Sequence, residues 1–223
     1  MKNFLVSIIL RLLFKSQPTI TFSEQELNTY NQLYDEAINS DGVIRYAISY
    51  PKQRFIQYIA QSKNVVLHGS NNPSIDQFEP RRQTLYNGKY VEAVFATKDG
   101  IWPLFYAVFD KSKLLGNIRN ACLVLNGTKK YYYFSITRES SQINPWTNGM
   151  IYFLPMDSFS KTSNEFVSFD EWISKVPVKP AARLEVDNVD FYFHSNVSTH
   201  KRNESIYKTW LLYKLRSKLA SRY

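Results

Sequence analysis

His68-Gly69-Ser70 closes the apolar run Val65-Val66-Leu67 and sets an imidazole, a residue without Cβ and a hydroxyl side by side. Far downstream, Asp170-Glu171-Trp172-Ile173-Ser174 places a carboxylate at the head of a second strand-like run. An imidazole can hydrogen-bond a ribose hydroxyl, and the Ser70 hydroxyl offers a further contact. Gly69 lets a flat ligand approach the backbone, whose N–H and C=O can pair with a carboxamide. A carboxylate beside a ribose can stabilise the oxocarbenium-like sugar that forms when an N-glycosidic bond breaks. These two stretches predict a site for a sugar-bearing ligand, with chemistry at one sugar carbon.

Other residues extend that prediction. Val94-Phe95-Ala96-Thr97 precedes Trp102-Pro103-Leu104-Phe105-Tyr106-Ala107, a strand followed by a helix whose rings offer a stacking wall or simply core. Glu79-Pro80-Arg81-Arg82 supplies forked donors for a diphosphate, or charges left in solvent. Tyr131-Tyr132-Tyr133-Phe134 alternates as a structural strand, and Lys129 and Lys130 beside it make only a thin basic patch.

The elements that must position these residues are legible in outline. A chain of 223 residues, 44% hydrophobic with 16 Tyr and 15 Phe, suits one domain with terminal extensions. Only 7 Gly are present, and neither GxGxxG nor GxxxxGK[ST] occurs, which argues against a glycine-rich phosphate loop. A lone Cys122 excludes an intrachain disulfide and, with three His, a finger-type zinc site; no metal is expected. Cys122 lies in an apolar run and reads as a small buried hydrophobe, and the cysteine usage suits a cytoplasmic protein. The net charge of +9 favours an anionic partner or simple solubility, and the excess is concentrated in Lys201, Arg202, Lys208, Lys214, Arg216, Lys218 and Arg222.

Residues 1–20 form an amphipathic N-terminal segment. Asn3, Ser7, Arg11 and Lys15 fall four apart as a narrow polar stripe, and the remaining apolar surface must be covered by protein or by a membrane surface. The run is too short to span a bilayer and lacks a small-residue cleavage site, although secretion through it stays open. Ser23 and Glu26 form a capping box that opens a helix over 24–39, ended by Asp41-Gly42. A strand is expected over 43–50, a helix over Lys52–Gln61, a strand over Val65–His68 and a long loop over 69–89. A helix over Trp102–Phe109 follows Val91–Ala96. Later strands are expected at Ala121–Leu125, Lys130–Thr137, Gly149–Pro155, Glu171–Ser174, Ala182–Val186 and Asp190–His194. Residues 201–223 end the chain in a basic amphipathic helix, Glu204 to Leu219. The pattern is α+β: N-terminal helices, a mostly antiparallel sheet over 21–200 and a basic C-terminal helix.

The order His-Gly-Ser, then Val-Phe-Ala with aromatics at 105 and 106, then Glu-Trp-Ile-Ser before Val-Pro-Val-Lys-Pro, resembles the ADP-ribosyltransferase fold. The resemblance is to its diphtheria-toxin-like and poly(ADP-ribose) polymerase branch, and it covers roughly residues 64–186. It implies a split, mostly antiparallel sheet and NAD as substrate. By it, His68 would bind a ribose hydroxyl, Gly69 the nicotinamide amide with Ser70 beside it, and Phe105, or Tyr106 next to it, would stack on nicotinamide. Glu171 would be the catalytic carboxylate, and Arg81 a candidate for the diphosphate. Two departures stand out. Val94 occupies the position of the family's Tyr, with Tyr90 or Thr97 as candidate substitutes. Asp170 adjoins Glu171 and should face the opposite way as a solvated neighbour, and Glu165 is a second acidic candidate. Three activities therefore stay open: ADP-ribosyl transfer or NAD glycohydrolysis, a non-catalytic NAD or ADP-ribose binding module, and a nucleic-acid-directed version. The acceptor, protein or nucleic acid, is not specified by the sequence.

Overall fold

The computed structural model describes residues 2–85 and 88–220, with backbone only for Lys2, Asn3 and Ala220. Arg222 and the Tyr86-Asn87 pair of the expected 69–89 loop lie outside the described residues, as does the Asn3 side chain of the N-terminal polar stripe. In chain order the elements are α1 (Lys2–Leu13), β1 (Lys15–Ser16), α2 (Glu24–Ile38), α3 (Lys52–Ser62), β2 (Val65–Ser70), β3 (Arg81–Thr84), β4 (Tyr90–Ala96), α4 (Trp102–Val108) and β5 (Ile118–Leu125). They continue with β6 (Lys129–Thr137), α5 (Arg138–Gln142), β7 (Gly149–Pro155), β8 (Ser160–Lys161), β9 (Val167–Phe169), β10 (Trp172–Ser174), β11 (Ala182–Val186), β12 (Ser198–His200) and α6 (Ile206–Ala220).

The strands form three sheets, and the fold is α+β with mostly antiparallel pairing. One sheet runs β1-β6-β5-β9, with β12 added parallel to β6; the others run β3-β4-β10-β8 and β11-β7-β2. The last two are joined where Leu67 and Thr97 exchange backbone hydrogen bonds of 2.8 and 3.0 Å. Around Tyr30, Phe55, Ile56, Phe105, Phe134, Phe153 and Leu184 a single large core gathers residues from α2, α3, α4 and the sheets. Phe105 packs on Phe109, Phe134 and Phe191, ring to ring, at centroid distances of 5.1–5.8 Å.

Local chemistry explains the boundaries and several departures from expectation. Ser23 caps α2 by accepting from the Glu26 amide at 3.2 Å. The box is half-made, because the Glu26 carboxylate turns instead to Arg54 at 2.6 and 2.7 Å and to the Tyr30 hydroxyl at 2.6 Å. Residues 43–50 form no strand; only Val43 makes a bridge, to Arg183. The 69–89 loop is interrupted, because β2 continues to Ser70 and Arg81–Thr84 folds back on β4 as a hairpin strand. Asp190–His194 is not extended either. Asp187 caps a tight turn over Asn188–Asp190, and Phe191 and Phe193, whose spacing would share one face of a strand, enter the core from irregular backbone after that turn. Strand β6 is buried on both faces: Tyr132 and Phe134 join the main core, Tyr131 and Tyr133 a second cluster under α1 and α6.

His200 is sealed beside this sheet. Its Nε2 donates to Asn117 Oδ1 at 2.6 Å and its Nδ1 pairs with Ser135 Oγ at 2.8 Å. Burial, with Arg119 nearby, pushes its pKa down to about 4 from an ordinary 6.5. The unfolded chain therefore binds this proton at a higher pH than the folded one. The stabilisation is complete above about pH 6.5 and drains between there and about 4, at about 1.4 kcal/mol per pH unit while the two states differ by a full proton. Burial lowers His68 and His194 in the same sense. Urea midpoints should fall from pH 7 to pH 5, and His200→Gln should flatten that slope. An equally steep slope in the variant would contradict this account.

Candidate active site

The cleft lies where the β2 and β4 sheets part beyond the Leu67–Thr97 contact. It encloses about 220 Å³ and is lined by Leu67, His68 and Gly69 from β2, by Phe95, Ala96 and Thr97 at the end of β4, and by Trp102, Pro103 and Tyr106 of α4. Gln83 and Thr84 of β3, Lys111 and Glu171 complete the rim. Residues from three distant stretches, at 68–69, 106 and 171, thus share one cleft.

His68 Nδ1 donates to the Phe95 carbonyl at 2.7 Å, across the gap between the sheets. A carbonyl only accepts, so the proton resides on Nδ1 and Nε2 carries the lone pair. Burial keeps the ring neutral, and the charges of Lys111 and Arg81 push in the same direction. A neutral, fixed tautomer with Nε2 as acceptor suits a hydroxyl donor such as a ribose OH.

Gly69 has a second duty. An added Cβ would lie 1.9 Å from the Pro103 carbonyl oxygen, and one on Gly149 would lie 1.8 Å from that of Ala107. Both glycines let α4 rest directly on the backbone of β2 and β7. Close approach at Gly69 is therefore used by the helix, not by a ligand as expected. Its polar backbone remains relevant. Leu67 spends its N–H and C=O on Thr97, and the two-residue repeat of a strand aims those of Gly69 to the same side, over the cleft. Ser70 does not line the cleft. Its Oγ accepts from the Asn72 amide at 3.1 Å and ends the strand.

On α4, Phe105 is 0% exposed and lies outside the cleft, which excludes it as a stacking surface. It points into the core because nearly every side of this short helix is buried; Tyr106 alone is half-buried, and its ring lines the cleft. Asn120 Oδ1 accepts from the Tyr106 hydroxyl at 2.8 Å and from Trp102 Nε1 at 2.6 Å, and so orients both rings. Burial, with the Glu171 charge adding to it, pushes the Tyr106 hydroxyl up to about 12, so it remains a phenol. Asn120 lies on a strand that sequence patterning treats only as packing, and no signal there distinguishes it.

Glu171 precedes β10. Its carbonyl accepts from the Thr162 amide at 3.0 Å, which pins the backbone while the side chain lines the cleft. Asp170 is not a solvated neighbour. It is buried at 3% exposure and bonds Lys130 Nζ at 2.7 Å and Trp172 Nε1 at 3.0 Å. Lys130 also reaches Asp99 at 3.2 Å. Asp99 accepts in turn from the amides of Ile101, just before α4, and Trp102, its first residue, and from the Tyr132 hydroxyl. Burial works against the Lys130 charge, but the two carboxylates outweigh it and raise its pKa above the ordinary value. One buried ammonium therefore ties the start of α4 to the residue before Glu171, and Lys130 is no part of a surface basic patch. Asp99, Asp170 and Cys122 are grouped closely enough to hold a cation, and the Lys130 ammonium supplies one. Cys122 is fully buried, its thiol held well above the ordinary pKa by burial. The signal for Lys130 was present: on β6 it shares a face with Tyr132 and Phe134.

The expected anion clamp is displaced. Arg81 is exposed on β3 outside the cleft lining, and Arg82 stacks on the exposed Tyr90 at 4.6 Å from the ring centroid. The cation in the lining is Lys111, whose Nζ stands 5.7 Å from the Tyr106 ring centroid. Val94 is buried in the small core with Phe78 and Tyr152, so the departure at this position lies behind the cleft. Thr97 lines the cleft and Tyr90 does not; Glu165 is exposed in a turn away from it.

No family model matches the chain, and neither the comparison with curated proteins nor that with solved structures finds a match.

Proposed function

We propose that the cleft binds the nicotinamide–ribose end of NAD and that the protein cleaves the bond between them, passing ADP-ribose to an acceptor or to water. The observation that carries this reading is the sharing of one cleft by His68, Gly69, Tyr106 and Glu171. At about 220 Å³ the cleft is smaller than the roughly 300–1,000 Å³ of pockets that bury whole drug-sized ligands. It suits one end of a dinucleotide, with the diphosphate leaving past Lys111.

In this reading the nicotinamide stacks on Tyr106 and its carboxamide pairs with the Gly69 backbone. A ribose hydroxyl donates to His68 Nε2. The C1′–N bond breaks with its electron pair going to the pyridine ring, which neutralises that ring's positive charge. Glu171 faces the cationic sugar carbon until the acceptor attacks and gives up its proton. With one buried thiol and no disulfide, we assign the chain to the cytoplasm.

Calorimetric titration with NAD, paired with an assay of free nicotinamide, tests the reading. Binding with release of nicotinamide is expected. Binding without release in the presence of water, protein and nucleic-acid acceptors would replace it by a non-catalytic module, and absence of binding would remove both.

A further inference from the structure

α1 and α6 pack against each other and cover the outer face of the five-stranded sheet, over Ala121, Leu125, Tyr131 and Tyr133. Their inner residues are accounted for. Leu10 and Phe14 are buried, Phe14 meets Trp210 and Tyr213, and Ser7 Oγ lies 3.2 Å from the Tyr131 hydroxyl. The expected polar stripe of α1 is thus partly turned inward, and the outward surface is apolar. Phe4, Leu5, Ile8, Ile9 and Leu12 are exposed, Leu12 at 68%. α6 is not simply amphipathic either. Tyr207, Leu211, Leu215 and Leu219 recur every fourth residue along its exposed side, with Leu211 at 72%. Folding gives no reason for an outward leucine row, and exposed large apolar side chains gathered on two helices that pack together mark an interaction site.

The charge on this surface selects the partner. Neither helix contains a carboxylate, whereas Arg11, Lys208, Lys214, Arg216 and Lys218 are basic. Arg216 is taken by Glu204 at 2.6 Å. Arg11, Lys15, Lys214 and Lys218 are close neighbours: Lys214 donates to the Arg11 carbonyl, and burial together with the other three cations lowers its pKa. A two-fold pairing of two copies centred on this cation group would set it against its own image, and neither helix offers a carboxylate to meet it elsewhere on the face. An apolar surface edged with lysine and arginine and lacking acids has the composition of helices that lie in the headgroup region of anionic bilayers.

We propose that the outward face of α1 and α6 is a docking surface for an anionic lipid bilayer, with the leucine rows in the acyl boundary and the basic cluster among the headgroups. This is independent of the chemistry of the cleft.

Flotation of the full chain with phosphatidylcholine vesicles, and with vesicles in which about a third of the lipid is phosphatidylserine, tests it. Binding to the anionic vesicles alone is expected, weakening with salt. Leu211→Ser with Leu215→Ser, and separately Arg11→Glu with Lys218→Glu, should each lower partitioning about tenfold or more while the thermal transition is retained. These positions are exposed, so the variants should fold. No binding to either vesicle would overturn the proposal. So would vesicle binding indifferent to these substitutions, or a dimer in sedimentation equilibrium that the leucine substitutions dissolve.

Discussion

Glu171→Gln should lower the turnover of NAD to nicotinamide by about two to three orders of magnitude while leaving KM within a few-fold. The size follows from the loss of one preorganised charge facing a developing cation, worth about 10²–10³ in rate. Its confinement to kcat follows from what the carboxylate is proposed to meet, a sugar carbon that becomes strongly positive only in the transition state. Glutamine keeps the shape of the side chain, and the Thr162 amide bonds a backbone carbonyl that the exchange leaves in place. Steady-state kinetics beside a denaturation curve separate the effects: kcat should collapse and the unfolding midpoint should stay. Equal loss in kcat and in folded stability would make Glu171 a structural residue. An unchanged kcat would dismiss the proposed chemistry.

Lys130→Met should cost about 3–5 kcal/mol of folding stability, the ordinary consequence of removing one partner from a buried ion pair. Methionine fills most of the volume, so the loss is electrostatic in origin. Two carboxylates, both within 3.2 Å of the missing ammonium, would be left facing each other in the interior. Asp99 cannot easily turn away, because it caps α4 through the Ile101 and Trp102 amides. The double variant Lys130→Met, Asp170→Asn should recover part of the deficit, since one negative charge leaves with the positive one. Urea denaturation at neutral pH measures both. A single variant as stable as the parent, or a double variant no better than the single, would show that the ammonium does not hold these strands together.

How much of this was written in the residue order differs from element to element. The starts of α2 and α3 followed from Ser23 and Pro51 because capping and the fixed φ of proline act over one turn. Strands β2, β6, β7 and β11 followed from apolar runs. The hairpin at Arg81–Thr84 did not, because all four of its side chains are exposed and carry no alternation. The Phe191 and Phe193 pair imitates a strand; what decides the turn is the reciprocal capping of Asp187 and Asp190. Of the residues singled out by motif order, His68, Gly69 and Glu171 line one cleft. The choice between Phe105 and Tyr106 was not legible, since a two-turn helix that is apolar all round presents no face to read. The pairing of Lys130 with Asp170 joins residues 40 positions apart and depends on which strands become neighbours.

Because helix α4 sits on β2 and β7 with carbonyl oxygens occupying the space where two side chains would begin, the floor of the cleft behaves as a rigid shelf. No change of rotamer can lower it, and a broader aromatic base gains no depth there. Accommodation of different ligands falls to the opposite lip, the two-stranded ribbon carrying Gln83 and Thr84. Discrimination by size is thus built into main-chain contacts, and variation in that ribbon is the economical route to a new preference.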